Sequence, residues 1–180
     1  TDDWAITEHY TFTVDDNLDS DTVEVANDGA NSTIHAGLND EGVLYLATQA
    51  SGFGHDRMIF VWVGGAGAGT VAPPWAKSGT LMEPASGGTL YALIAEGDSA
   101  YCTWYRYDTG TTSWVEVTAG NQACFDGATR LTGTVDLATD LGIDANALPA
   151  TVDVAMVEYG TNDSDGVVYQ IPAAVTANND

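Results

Sequence analysis

Residues with strong strand preference come in short bursts along this chain, and Gly, Asn and Asp interrupt nearly every gap between them. Punctuation of this kind leaves little room for long helices and favours strands joined by tight turns. Residues 10–14, 23–25 and 43–48 read as strands, the last following the turn Asn39-Asp40-Glu41-Gly42. Residues 58–63 form an unbroken apolar run, as expected of a central strand covered on both faces. Residues 89–95 and 101–107 read as strands joined across Glu96-Gly97-Asp98, and 113–117 pairs back across Asp108-Thr109-Gly110-Thr111. Residues 152–159 and 167–171 form a last hairpin, and the only helical signal lies in 137–148, one or two turns ending before Pro149. About ten short strands at this spacing predict one all-β domain over residues 1–180. Its expected form is an antiparallel β-sandwich, jelly-roll or immunoglobulin-like, with at most one short helix.

Hydrophobic residues make up 44% of the 180, enough for a full core, and no apolar run reaches the roughly 18 residues needed to cross a bilayer. With no leader-like stretch after Thr1, the chain reads as a mature form. Four basic residues, Arg57, Lys77, Arg106 and Arg130, stand against 26 acidic ones, for a formal net charge of −22. Such a surface cannot assemble the basic patch that nucleic acid or anionic lipid requires. It fits a salt-adapted, highly soluble exterior or one that meets divalent cations.

Cys102 and Cys124 are the only cysteines, and their spacing fits no zinc pattern. Both flank the expected hairpin, so a disulfide is expected, closing a loop of a size worth about 3 kcal/mol. That bond implies an oxidising compartment. The sequons at Asn31 and Asn162 agree with export and glycosylation. The expected location is extracellular or at the cell surface.

Several motifs resemble catalytic or binding signatures. Asp108-Thr109-Gly110-Thr111 matches the aspartic-protease tetrapeptide, but that chemistry needs two copies whose carboxylates share a proton, and there is one. It reads as a hairpin turn. The run Gly64-Gly65-Ala66-Gly67-Ala68-Gly69 is followed by Pro73-Pro74 instead of a phosphate-cradling helix, and reads as a flexible loop. Asp15, Asn17, Asp19 and Asp21 place oxygens at alternate positions, as a calcium loop does, although the Gly and Glu of an EF-hand are absent. The run reads first as an acidic turn, with calcium as the alternative and the one cofactor the residues suggest. His9, His35 and His55 share no close spacing, and a metal or haem role for His55 with Met58 or Met82 has little support. No catalytic constellation is present, so an enzyme is not expected.

Five Trp and eight Tyr are more informative. On the 101–107 strand, Tyr101, Thr103, Tyr105 and Tyr107 share one face, while Cys102, Trp104 and Arg106 share the other. Trp75 follows two prolines in a predicted loop. Trp75, Trp104, Tyr105 and Tyr107 are thus candidates for stacking on sugar rings.

The order of these pieces resembles the DOMON-like, family-9-carbohydrate-module-like sandwiches of secreted bacterial proteins. Thr13-Val14-Asp15-Asp16-Asn17-Leu18-Asp19 resembles their opening turn, with Asp16 where Gly is usual. Gly42-Val43-Leu44-Tyr45-Leu46-Ala47-Thr48 resembles their Leu-Tyr strand, followed by His55-Asp56-Arg57-Met58-Ile59-Phe60-Val61. Pro74-Trp75-Ala76-Lys77-Ser78-Gly79 resembles a Trp-Gly-Lys loop of some members, and residues 133–137, Leu148-Pro149, Tyr159 and Gln170-Ile171-Pro172 resemble the closing strands. The resemblance implies a non-catalytic β-sandwich, with sugar binders and haem carriers among its relatives.

Two expectations follow. The first is a structural protein that self-assembles into a filament or layer, with open sheet edges for strand addition and Tyr10, Phe12 and Val14 as the inter-subunit strand. The second is a carbohydrate-binding module that meets polysaccharide. A haem or metal carrier ranks below both.

Overall fold

The computed structural model describes residues 5–6, 10–13, 23–27, 32–38, 42–50, 56–77, 79–96, 101–117, 123–127, 130–143, 151–159 and 167–171. In chain order the strands are β1 (Ala5–Ile6), β2 (Tyr10–Thr13), β3 (Val23–Asn27), β4 (Ser32–Leu38), β5 (Val43–Ala50), β6 (Asp56–Val63), β7 (Ala66–Val71) and β8 (Thr80–Pro84). They continue with β9 (Thr89–Glu96), β10 (Tyr101–Asp108), β11 (Ser113–Glu116), β12 (Ala123–Gly127), β13 (Arg130–Asp136), β14 (Thr151–Tyr159) and β15 (Val167–Ile171). The chain is all-β, as its patterning predicts, although the described residues hold fifteen strands where the sequence suggests about ten.

Three sheets form. The largest runs β11-β10-β9-β6-β14-β15. On the edge of β14 away from β6, β2 pairs the first half of the strand and β15 the second. The second sheet runs β12-β13-β5-β4-β3. The third, β1-β8-β7, contains a parallel pair, β1 with β8. All other pairings among the described residues are antiparallel.

The alternation of side chains along β6 explains the layering. Ile59, Val61 and Val63 enter the main core beside Ile34, Ala36, Leu44, Leu46, Leu131 and Val135 of the five-stranded sheet. Met58, Phe60 and Trp62 enter a second core with Val71 and Leu81 of the small sheet. Every residue of β6 is buried, so its unbroken apolar run marks a strand covered on both faces. Trp62 closes the second core by donating from Nε1 to the Met82 carbonyl at 3.0 Å.

The Gly-rich segment expected to be a loop is instead strand β7, paired with β8 around an irregularity between Ala66 and Thr70. Close approach explains its composition. The Gly69 N–H donates to Glu83 Oε1 at 3.1 Å, and a Cβ on Gly67 would lie 3.0 Å from the Pro84 carbonyl oxygen. Glycine eases that backbone approach. Of the segment 137–148, expected to hold one or two helical turns, residues 137–143 are described. Residues 137–141 form turns, held by Asp140 N–H to Asp136 O and by Asp136 Oδ1 accepting from Ala138 and Thr139. Residues 144–150 lie outside the described ones.

Candidate functional site

Pro73 and Pro74 end the segment after β7 and start a single 3-10 turn, Pro74–Ala76. Trp75 and Ala76 both take left-handed backbone conformations, with φ of 58° and 52°. For residues other than glycine this costs about 1–2 kcal/mol each, so contacts elsewhere must hold the turn. Three such contacts are visible. The Lys77 N–H returns to the Pro74 carbonyl at 3.3 Å. Trp75 donates from Nε1 to Tyr105 Oη at 3.3 Å. Lys77 Nζ forms an ion pair with Asp56 Oδ2 at the start of β6.

The Trp75 ring is the outermost part of an aromatic cluster. It is 37% exposed, with its centroid 5.7 Å from that of Tyr101 and 6.1 Å from that of Tyr105 in an edge-on pair. Tyr101 and Tyr105 share a hydrogen bond between their hydroxyls at 3.0 Å. The Tyr101 phenol is held in its neutral form above the usual tyrosine range. Burial is the main cause, followed by the Tyr105 hydroxyl and the Glu116 and Glu96 charges. Further along β10, Tyr107 meets Trp114 edge-on at 5.5 Å, and Trp114 donates to the Ala72 carbonyl at 2.8 Å. Tyr105, Tyr107 and Trp114 rest on the second core. The result is a strip of rings with Trp75 standing clear at one end, an arrangement that suits stacking on an apolar ligand face.

No family model, curated protein or solved structure matches the chain.

Among the aromatic candidates, Trp75, Tyr105 and Tyr107 lie on this strip, and Trp104 does not. Trp104 is fully buried in the main core, because it shares the inward face of β10 with Cys102. It is withdrawn as a sugar contact. Strand β2, which carries Tyr10 and Phe12 of the expected inter-subunit strand, pairs β14 of its own chain along one edge, Tyr10 opposite Val154 and Phe12 opposite Val152. Among the described residues β14 is its one sheet partner, so β2 is an edge strand. Val14, His9, His55, the calcium candidates Asp15, Asn17, Asp19 and Asp21, and the sequon residues Asn31 and Asn162 lie outside the described residues. Among the described residues no group of three or more His, Cys, Asp and Glu is placed to hold a metal. Met58 is fully buried in the second core, with Met82 packed against it. The Asp108-Thr109-Gly110-Thr111 tetrapeptide is the hairpin turn between β10 and β11, Asp108 Oδ1 accepting from Gly110 N–H at 2.8 Å. That bond and its neighbour from Thr111 hold the Asp108 carboxyl below the usual range. Cys102 packs partly buried against the main core, while the Cys124 side chain on β12 lies outside the described ones.

The sequence reading missed a set of buried charges around the start of β6 and the end of β14. Asp56, Arg57 and Glu158 are almost wholly buried, and the Lys77 side chain is 6% exposed. Lys77 Nζ also lies 5.3 Å from the centre of the Tyr159 ring. The available signal was Arg57, one of four cations in the chain, set directly against an apolar strand.

Proposed function

We propose that this is a non-catalytic, exported domain that contacts glycans through Trp75, with Tyr101 and Tyr105 supporting the ring. The observation that carries this reading is the Trp75 ring, partly exposed yet fixed by a left-handed turn and a hydrogen bond to Tyr105. A ring held in place before a ligand arrives loses little freedom on binding. The resemblance to family-9-like modules supports the same reading. Export is supported by the cysteine pair and the sequons. A Cys102–Cys124 bond is part of the proposal, favoured by the absence of a free cysteine among the described residues.

Affinity electrophoresis in gels of neutral polysaccharides tests the reading. Retardation of the native domain, abolished by Trp75→Ala with the fold retained, is the expected result. Equal mobility of both proteins in every gel would overturn it.

A second reading is self-assembly through the β11 edge. Strand β11 ends the largest sheet, and its Val115 is 42% exposed. Concentration-dependent light scattering that disappears in Val115→Lys would favour this reading over glycan contact.

A further inference from the structure

The pairing of Lys77 with Asp56 places an amine directly against a carboxyl group at the end of the second core. The Asp56 side chain has no exposed surface, and that of Lys77 has very little. The Tyr159 ring walls the amine. Glu96 lies opposite Asp56 in the β6–β9 register, so both carboxyl groups leave the same face, with Cβ atoms about 4.5–5.5 Å apart. An amine and a carboxyl therefore meet away from bulk water, with the half-buried Glu96 opposite on the neighbouring strand.

We propose that Lys77 and Asp56 are joined by an intramolecular amide bond. Two opposite charges are costly to keep out of water. Passing the ammonium proton to the Asp56 carboxylate removes both and leaves a neutral amine and a neutral acid. The Nζ lone pair attacks Asp56 Cγ and forms the Nζ–Cγ bond. Glu96 takes a proton from Nζ and delivers it to the departing hydroxyl, the Cγ–O bond breaks, and one water leaves. Glu96 ends as it began, nothing is oxidised or reduced, and no co-reactant is needed. Groups held in contact by a fold can react as if at about 10⁵–10⁸ M, which replaces chemical activation of the acid. The bond would fasten the Trp75 turn to the start of β6 covalently.

Intact-mass measurement of the reduced, denatured chain tests this. The expected mass is that of the sequence less one water. Trypsin should leave Lys77 uncut and yield the peptide ending at Arg57 joined through Asp56 to the peptide from Met58 to Arg106. In Lys77→Arg the full sequence mass should return, and in Glu96→Gln the linked form should fall to a minority of chains. A native chain of full sequence mass, or one lacking a water but without joined peptides, would overturn the bond. Complete linkage in Glu96→Gln would overturn the role of Glu96.

Discussion

Arg57 and Glu158 face each other across β6 and β14, and Arg57 Nη2 donates to Glu158 Oε2 at 3.0 Å with both side chains almost entirely out of solvent. The pair lies on the main-core face of the sheet, one residue along β6 from Asp56. Removing one member leaves the other charged and stranded. Glu158→Ala should destabilise the domain by about 3–5 kcal/mol, read as a lower midpoint in denaturant unfolding. The double variant Arg57→Met with Glu158→Leu should recover most of that loss.

Trp104 in the main core and Trp75 at the surface should separate by phenotype. Trp104→Ala opens a cavity in the main core and should cost about 3–5 kcal/mol. Trp75→Ala removes a partly exposed ring and should change the thermal midpoint little while removing polysaccharide retardation. Thermal unfolding and affinity electrophoresis on the same preparations check both.

Tyr101 sets an upper pH limit on stability. Its folded proton affinity is raised, so its contribution is complete below the ordinary tyrosine value of 10.0 and is lost as pH rises above it. An ultraviolet titration should show part of the tyrosine signal ionising above the ordinary tyrosine value, a part that shrinks in Tyr101→Phe, and that variant should weaken the alkaline loss of stability.

Asp108 acts at the other end of the scale. Its carboxyl is depressed by the Gly110 and Thr111 amides, so its support for the hairpin is present above the ordinary aspartate value of 3.8 and disappears as pH falls below it. A carbon-detected NMR titration should give Asp108 a midpoint below that value, and Asp108→Ala should speed amide exchange at Gly110.

Gly64 has a φ of +86°, and a Cβ there would lie 3.1 Å from the Gly88 Cα. Gly64→Ala should cost about 1–2 kcal/mol, again measured by denaturant unfolding.

The architecture was largely legible because strand alternation is a local property. The apolar run of β6 announced a doubly covered strand, and Asp108 to Thr111 announced a hairpin. Strand β7 was hidden because its glycines answer to Glu83 on β8, a neighbour that spacing along the chain does not reveal. The face of Trp104 was legible as an alternation, but which face turned inward depended on where the second sheet lay. The partnership of Lys77 with Asp56 was hidden for the same reason, since it depends on how a turn folds back onto a strand end.

Drawing Arg57 and Lys77 inside has an effect well beyond the two pairs they form. It leaves at most Arg106 and Arg130 to interrupt the acidic exterior, so solvent meets a polyanion surrounded by a counterion atmosphere. At 0.1 M salt that field fades over about 10 Å, far enough to act on a ligand approaching Trp75. A neutral sugar crosses it without penalty. For the proposed contact at Trp75 a sulfated or uronic-acid chain meets a repulsion that a neutral one does not, and the same field acts between copies of the domain until salt or divalent ions screen it.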